Sequence, residues 1–304
     1  MNFKHIVIIG AGTMGTDLSV KLAAFGTRVT IVGRPGGQAD TFHNRARNAG
    51  LDLSLDFDQL KLQLLPDLIS VDWPSADLII ENVNEDLALK QSIFEQVVIL
   101  ANANAIIASN SSTFGISLIS SGLAPQARFF GLHFFMPAHL VPLVEIVTSE
   151  HSDVQIAEKI KLYLSTQGFV PVIVRKDVPG FLANRIQAAM MREVWNILER
   201  GIATPEDVDK AVTYGFGCRF LAAGPVMQKE MSGLDITCSA SKNVFPDLSN
   251  EDEPPKILSD KVERGEMGMK TGLGFWSWND ESISEARNGY VAKLKAAIKI
   301  LSDS

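Results

Sequence analysis

The sequence has little cysteine, little excess positive charge and no long apolar run. Cys218 and Cys238 are the two cysteines in 304 residues, so a disulfide framework is not expected, and a reducing compartment is. Lys and Arg number 28 against 35 Asp and Glu, and the net charge of -7 disfavours nucleic acid or an anionic membrane as partner. No apolar stretch is long enough to cross a bilayer, and no secretory signal pattern precedes the first strand. We therefore expect a cytoplasmic protein that binds neither nucleic acid nor membranes.

The length and composition are those of a globular protein with two domains. Hydrophobic residues make up 46% of the 304 residues and charged residues 21%. Strand and helix patterns alternate up to residues 175–180, where charge, Pro and Gly interrupt the pattern, and helical patterns follow. The sequence predicts an α/β fold, with an N-terminal Rossmann-type doubly wound sheet in residues 1–177 and an all-α domain in residues 178–304.

Apolar periodicity predicts the individual elements. Buried strands are expected at residues 5–9, 28–32, 76–81, 105–109 and 169–174, and two more within residues 129–147. Alternating residues predict a hairpin from residues 51–57 and 60–64, and a further strand at 67–71. Helices are expected at residues 39–50, 87–100, 153–167, 181–200, 205–214 and 225–245 and near the end of the chain. In the helix at residues 87–100, the side chains expected to face inward are Leu89, Ile93, Phe94, Val97 and Leu100.

A glycine motif, Gly10-Ala-Gly-Thr-Met-Gly15, follows the first strand and opens a helix. Gly10 allows a tight turn, Gly12 lets the backbone approach a pyrophosphate, and Gly15 lets helix and strand pack closely. The free N–H groups at the helix start then hold the pyrophosphate. We predict a dinucleotide site that includes Gly10, Gly12, Thr13, Met14 and Gly15.

The end of the second strand indicates which dinucleotide is bound. NAD sites carry Asp or Glu there to bind the ribose hydroxyls, whereas this chain has Gly33 followed by Arg34. The missing carboxylate and the adjacent guanidinium favour a 2′-phosphate. We predict NADP(H) as cofactor, with Gly33 and Arg34 in its site. The alternative is that Arg34 stacks on adenine and NAD is bound.

A candidate catalytic pair lies in residues 129–147, which read as two apolar strands joined by a Pro-rich crossing. His133 falls in the first strand and Glu145 in the second. A neighbouring carboxylate holds one ring nitrogen of a histidine and raises the basicity of the other, which is the arrangement of a general base. The alternative is a histidine that is hydrogen-bonded in the core without a catalytic role.

Polar residues follow two of the buried strands. One group, at residues 81–86, follows the strand at 76–81, and Asn110-Ser-Ser-Thr113 follows the strand at 105–109. Open α/β sheets bind ligands at this carboxyl edge, so these side chains are expected to line a site. Alternatively, a hydroxyl here caps the helix that starts near Phe114.

Five motifs along the chain together resemble the 3-hydroxyacyl-CoA dehydrogenase family. They are Gly10-Ala-Gly-Thr-Met-Gly15, Ser109-Asn-Ser-Ser112, Gly131-Leu-His-Phe-Phe135 with Glu145 after it, Asp177-Val-Pro-Gly-Phe181 with Asn184-Arg185, and Lys270-Thr-Gly-Leu-Gly-Phe275. The resemblance spans nearly the whole chain.

The resemblance implies a role for individual residues. His133 would be the acid/base, Glu145 would orient it, and Ser112 and Asn184 would position and polarise the reacting oxygen. The cofactor contacts implied by the family are Glu85, Lys90, Ser112 and Lys270. A homodimer formed through the helical domain is also implied, and no metal is expected.

Three departures from the family affect the expected substrate. Gly33-Arg34 replaces the acidic residue of NAD sites, Met136 stands where the family usually has Asn, and the segment between Arg34 and Asp67 is short. A long helical pair in that segment helps to hold CoA in the family. Here Val32-Gly-Arg-Pro35 and the nearby 47–51 segment resemble ketopantoate reductases, which use NADPH on a small free acid.

These residues lead to three functional hypotheses. The first is an NADP-dependent oxidoreductase acting on a small 3-hydroxy/3-oxo carboxylic acid. The second is a 3-hydroxyacyl-CoA dehydrogenase acting on a CoA thioester. The third is a nicotinamide-binding sensor or structural protein without turnover, which the presence of His133, Glu145, Ser112 and Asn184 disfavours.

Overall fold

The computed structural model describes residues 3–34 and 39–302, which form two compact units, Met1–Arg185 and Ile186–Ser304. Pro35, from the ketopantoate-reductase-like segment, lies outside the described residues. The predicted fold class is confirmed, since a mostly parallel sheet is followed by helices alone. The domain boundary between residues 177 and 178 stays a prediction. Within the described residues, no helix is both long and apolar enough to cross a membrane.

An eight-stranded sheet forms the centre of the first unit. Its strands are β1 (His5–Ile9), β2 (Arg28–Val32), β3 (Leu62–Leu65), β4 (Leu78–Glu81), β5 (Ile106–Ser109), β6 (Phe129–Phe134), β7 (Leu143–Val147) and β8 (Val170–Val174). The order is β3-β2-β1-β4-β5-β6-β7-β8, and each neighbouring pair is parallel except β6 and β7. The strand order reverses at β1, which lies between β2 and β4. Open sheets of this kind bind ligands in the crevice beyond such a reversal.

Five helices cover the two faces of this sheet: α1 (Thr13–Ala23), α2 (Ala39–Asp52), α3 (Leu87–Leu100), α4 (Ile116–Ile119) and α5 (Val154–Thr166). Side chains of α1, α2 and α5 form one buried cluster with Ile6 and Ile8 of β1. Side chains of α3 and α4 form the other with Val7 and Ile9. Successive side chains of a strand point to opposite faces, so the apolar run of β1 is buried on both sides, as predicted.

The helices after the sheet are α6 (Ala183–Glu199), α7 (Pro205–Lys210), α8 (Pro225–Ser232), α9 (Leu234–Val244), α10 (Lys256–Glu263) and α11 (Asp280–Ser302). A π-helical segment, Ala211–Gly217, continues α7. Within residues 186–302, Val208 is the one residue that is buried. The second unit therefore leaves most of its apolar side chains partly or fully exposed.

The predicted hairpin and the predicted strand at residues 67–71 are wrong. Residues up to Asp52 continue α2, and β3 pairs in parallel with β2, so no hairpin forms. Asp67 Oδ1 accepts hydrogen bonds from the backbone N–H of Ser70 at 2.9 Å and from its hydroxyl at 2.8 Å, which closes a turn. Sequence alternation indicates an extended segment but does not indicate which strand it pairs with.

Two helix predictions are also corrected. The single helix predicted at residues 225–245 is broken into α8 and α9 at Gly233, whose φ of +95° is incompatible with a helix. In α3, Leu89 and Leu100 are 40% and 39% exposed, whereas Lys90 is 1% exposed. The ion pair between Lys90 and the buried Glu81 therefore places Lys90 on the inward face of α3.

Candidate active site

The glycine loop between β1 and α1 fits a dinucleotide pyrophosphate. Gly10 has φ +115°, and a Cβ there would lie 2.5 Å from the Asn82 carbonyl oxygen, so glycine is required. A Cβ on Gly12 would meet nothing within 4 Å, and this exposed backbone is open to a ligand. Within the described residues, the start of α1 has no side-chain cap and no acidic residue in its first turn. Its free N–H groups, including those of Thr13 and Met14, are therefore available for an anion.

Gly33 and Arg34 follow β2 at the same edge of the sheet. The Gly33 N–H donates to the Leu65 carbonyl oxygen at 2.9 Å, which holds the backbone against β3. Arg34 is exposed and, among the described residues, forms no hydrogen bond or ion pair. Its guanidinium is exposed and is therefore a candidate to bind an anionic group of a ligand.

His133 and Glu145 form a buried hydrogen-bonded pair. They are directly opposite each other in the antiparallel β6–β7 register, and Nδ1 of His133 lies 2.7 Å from Oε2 of Glu145. The imidazole is also packed against Phe135 and Phe181, with ring centroids 4.5 and 5.5 Å away. Since a carboxylate only accepts, Nδ1 carries the donated proton, and the lone pair lies on Nε2. Within the described part of the chain, Nε2 has no partner, so it can accept a proton from a ligand.

Glu145 is itself anchored by the start of α6. Its Oε1 accepts hydrogen bonds from the backbone N–H groups of Leu182 at 3.1 Å and Ala183 at 2.7 Å. Burial raises the pKa of the Glu145 carboxyl, but the hydrogen bonds from His133 and Ala183 outweigh burial and leave this pKa below its usual value. Glu145 is therefore ionised at neutral pH and stabilises a positive charge on the imidazole.

The loop that carries Ser112 is tied to the strand that carries His133. Oδ1 of Asn110 accepts the Phe134 N–H at 2.8 Å, and Nδ2 of Asn110 donates to Asn82 Oδ1 at 2.7 Å. Ser112 follows two residues later and is half-buried, and its hydroxyl has no hydrogen bond to any described residue. The sequence did not single out Asn82 and Asn110 as the residues that join these strands, although both belong to the polar runs after β4 and β5.

Asn184 is brought to the same region through Glu145. It follows Ala183, whose N–H binds the Glu145 carboxylate, and its own side chain is half-buried. Four predicted catalytic residues therefore occupy one edge of the first unit: His133 and Glu145 in direct contact, and Ser112 and Asn184 on the segments bonded to them.

Glu85 and Lys90 belong to a charge cluster at the ends of β4 and β5, in which Lys90 is buried and the Glu85 side chain is 37% exposed. Lys90 lies 2.9 Å from Glu81 Oε1 and 3.1 Å from Glu85 Oε2. Burial raises the pKa of Glu85, but hydrogen bonds from Ser111 and Thr113 and the charge of Lys90 lower this pKa to about 2. Glu81, 1% exposed, was not predicted as part of the site. Its signal in the sequence is a carboxylate at the end of an otherwise apolar strand, which needs a buried cation.

Lys270 lies in the second unit, whereas the other predicted site residues lie in the first unit. It is exposed and lines a cavity of about 550 Å³ together with Trp195 and Phe275. Among the residues that the structure describes, no group of His, Cys, Asp and Glu is arranged to hold a metal ion.

Comparisons with known proteins show which family the chain belongs to. The family model for the NAD-binding domain of 3-hydroxyacyl-CoA dehydrogenases matches residues 5–178, and the model for their C-terminal domain matches residues 180–278. The chain belongs to the 3-hydroxyacyl-CoA dehydrogenase family. It is an oxidoreductase that acts on hydroxyl groups, as its relatives are dehydrogenases of this kind. The third hypothesis, a protein without turnover, is thereby removed.

Several relatives match along almost their full length. The chain is 31% identical over 307 residues to 5-formyl-3-hydroxy-2-methylpyridine 4-carboxylate 5-dehydrogenase of Mesorhizobium japonicum, covering 98% of each. It is 30% identical to L-carnitine dehydrogenase of Oceanobacillus iheyensis, covering 96% of this chain and 97% of the relative. The rat mitochondrial hydroxyacyl-coenzyme A dehydrogenase is also 30% identical, over 90% of this chain and 91% of the relative.

A solved structure of a 5-formyl-3-hydroxy-2-methylpyridine 4-carboxylic acid 5-dehydrogenase is similar over 99% of both chains. Its TM-score is 0.92 and its identity is 30%, and that enzyme is described as an NAD+ dependent dismutase. A (S)-3-hydroxybutyryl-CoA dehydrogenase from Ralstonia eutropha has a TM-score of 0.73 and 25% identity, covering 92% of this chain and 100% of that chain.

Proposed function

We propose that the chain interconverts a small 3-hydroxy carboxylic acid and its 3-oxo form with NADP(H), using His133 and Glu145 as the acid/base pair. The observation that carries this proposal is the 2.7 Å contact between the His133 imidazole and a fully buried carboxylate. The open Gly12 backbone and uncapped α1 N-terminus support nicotinamide dinucleotide binding.

The proton chemistry follows from the pair. When bound, the nicotinamide supplies or accepts the hydride. In oxidation, His133 Nε2 takes the substrate hydroxyl proton, and Glu145 stabilises the resulting imidazolium through Nδ1. In reduction, Nε2 returns that proton to the oxygen. Ser112 and Asn184 hold the oxygen in place and polarise it.

A His133→Ala variant tests the acid/base role. Turnover is expected to fall by about two to four decades because no group replaces the base, while coenzyme binding stays unchanged. His139→Ala is the matched control, since His139 is 6% exposed and paired with Asp17 at 3.0 Å and Asp52 at 3.1 Å. This control loses stability but keeps turnover per folded molecule. Unchanged turnover in the His133 variant would place the base elsewhere.

The choice of NADP rests on Arg34 and on the carboxylate that Gly33 lacks. Arg34→Ala should lower kcat/KM with NADPH by about tenfold to a hundredfold, since a charge-assisted bond to phosphate is lost, and change kcat/KM with NADH little. Gly33→Asp should favour NADH. NAD is the second candidate, because the structurally similar dismutase is NAD+ dependent. A wild-type preference for NADH that Arg34→Ala leaves unaltered would favour NAD.

A small free acid is supported by the similarity to two dehydrogenases named for pyridine carboxylate and carnitine substrates. The CoA thioester is the second candidate, because the rat hydroxyacyl-coenzyme A dehydrogenase is 30% identical. Reduction of acetoacetate and acetoacetyl-CoA should be compared with NADPH and with NADH, followed by a panel of free 3-oxo acids. We expect saturable activity on a free acid. Saturable activity on the thioester alone would overturn this choice.

The proposed assembly is a homodimer formed through the second unit, in a reducing compartment such as the cytoplasm. Exposed apolar side chains of this unit support the dimer, among them Tyr214, Met231 and Phe245. Cys218 and Cys238 are exposed free thiols, which suits reducing conditions. Sedimentation equilibrium should give twice the 33.1 kDa chain mass, and a monomer at micromolar concentration would contradict the dimer.

A further inference from the structure

Lys90 is fully enclosed at the start of α3, although the family resemblance predicts that it contacts the coenzyme. It is 1% exposed. Its ammonium donates to both Glu81 oxygens at 2.9 and 3.1 Å and reaches Glu85 Oε2 at 3.1 Å. The Val83 carbonyl oxygen lies 3.4 Å away. Since an ammonium has three N–H donors, these carboxylates use the whole donor capacity of Lys90.

The two carboxylates that bind Lys90 also accept hydrogen bonds from residues at the end of β5 and just after it. Glu81 Oε2 accepts the Ser109 hydroxyl at 2.6 Å. Glu85 Oε1 accepts the hydroxyls of Ser111 and Thr113 at 2.5 Å each, and the Thr113 N–H at 3.1 Å. Each residue that flanks Ser112 is therefore bonded to Glu85.

We propose that Lys90 is a positioning residue, which acts through Glu81 and Glu85 on the segment that carries Ser112, and that it does not contact the coenzyme. The inference rests on the proposed role of Ser112 at the substrate oxygen. Without the cation, the buried Glu81 carboxylate and the Glu85 carboxylate, which is 37% exposed, repel each other, so Glu85 turns further toward solvent and releases Ser111 and Thr113.

A double-mutant cycle between Lys90→Met and Ser112→Ala tests this coupling. Activity is measured as reduction of acetoacetate, or of acetoacetyl-CoA if only the thioester is turned over, and coenzyme affinity as the dissociation constant for NADPH or NADH from nucleotide fluorescence. Lys90→Met should lower kcat by about a hundredfold through misplaced Ser112, with the dissociation constant changed less than about threefold. In the double variant, Ser112→Ala should cause little further loss.

A loss of fold in Lys90→Met is separated from a loss of positioning by a second pair of variants. Glu81→Gln with Lys90→Met removes one charge of each sign and retains an acceptor for Ser109, so folding is preserved better. Thr113→Val removes one hydroxyl that binds Glu85 and leaves Lys90 untouched. Both should lower kcat less than Lys90→Met does, because neither leaves two carboxylates without a cation, and both should leave coenzyme affinity unaltered, with thermal melting measured in parallel.

Each of three results would overturn the inference. One is a tenfold or larger loss of coenzyme affinity in Lys90→Met with kcat kept at saturating coenzyme, which would make Lys90 a coenzyme ligand. The second is full additivity of the two substitutions, and the third is an unchanged kcat in Ser112→Ala. The His133→Ala variant decides the proposed function separately, because its loss of turnover does not depend on Lys90.

Discussion

The two units of the chain bury their apolar side chains to very different extents. In the first unit, Phe130 and Leu132 of β6 are 0% exposed and belong to a core that spans one face of the sheet. In the second unit, Val208 at 8% is the one buried residue among 186–302, while Tyr214 is 80% exposed. The sheet unit thus has a closed core of its own, whereas the described residues of the helical unit bury almost no side chain. His133 and Glu145, the proposed acid/base pair, lie in the unit with the closed core.

The largest expected effect contrasts one aromatic side chain from each unit. Phe130→Ala should lower the free energy of unfolding by about 3–5 kcal/mol at any protein concentration, because it leaves a cavity in a closed core. Phe245→Ala, at a side chain that is 67% exposed in the single chain, should lower the melting temperature only at concentrations where the chain is dimeric. Urea unfolding and melting at several protein concentrations measure both. Concentration-independent losses in both variants would remove the contrast.

Charge substitutions at exposed isoleucines sharpen the same contrast. Ile236→Glu in α9 should weaken self-association by about two orders of magnitude, since a carboxylate would be buried in the interface. Ile99→Glu in α3 is the control, because Ile99 is 83% exposed and Ile236 is 62% exposed. Sedimentation equilibrium gives both dissociation constants. Equal values for the two variants would show that the α9 face takes no part in association.

Two glycines offer a smaller comparison of packing. A Cβ on Gly115 would lie 2.5 Å from the oxygens of Asp177, whose Oδ2 also accepts the Ser117 hydroxyl at 2.6 Å. Gly115→Ala should therefore cost about 1–3 kcal/mol of stability. In α11, a Cβ on Gly289 would meet nothing within 4 Å, and Gly289→Ala should stabilise by about 0.5–1 kcal/mol. The urea midpoints of both variants measure these changes in stability. A Gly115→Ala variant as stable as the wild type would contradict the close packing of Asp177.

The smallest expected effect is a loss of stability in acid from one carboxyl in each unit. Glu85 and Glu266 each have a pKa of about 2, the latter because Arg264 and Lys261 bind it. A lowered folded-state pKa contributes stability above the unfolded pKa of about 4.3, and this contribution is lost as pH falls toward 2. Glu85→Gln and Glu266→Gln should each flatten the fall of the urea midpoint between about pH 5 and pH 2.5. Curves parallel to the wild type would refute these pairings.

Sequence patterns predicted the central part of the fold well. The apolar runs of β1 and β4 and of the β6–β7 pair are confirmed, because a strand buried on both faces needs an unbroken apolar sequence. The pairing of His133 with Glu145 was expected from two adjacent strands and is present in the register. The resemblance to the family is confirmed by the match over residues 5–178 and 180–278.

The errors arose where a partner distant in the sequence decides the structure. Residues 60–64 alternate as a strand, but their partner is β2 and not the preceding segment. The apolar pattern alone predicts that Leu89 lies on the buried face of α3, whereas the ion pair with Glu81 places Lys90 on that face. Local periodicity indicates neither which strand a segment pairs with nor which buried charge neutralises a side chain.

A structure of the ternary complex with coenzyme and a 3-hydroxy acid would show directly whether His133 contacts the reacting oxygen. We expect Nε2 of His133 to lie within about 3 Å of the substrate hydroxyl oxygen, with Nδ1 still bonded to Glu145. A substrate hydroxyl beyond hydrogen-bond reach of Nε2, and screened from it by protein, would contradict the acid/base role of His133.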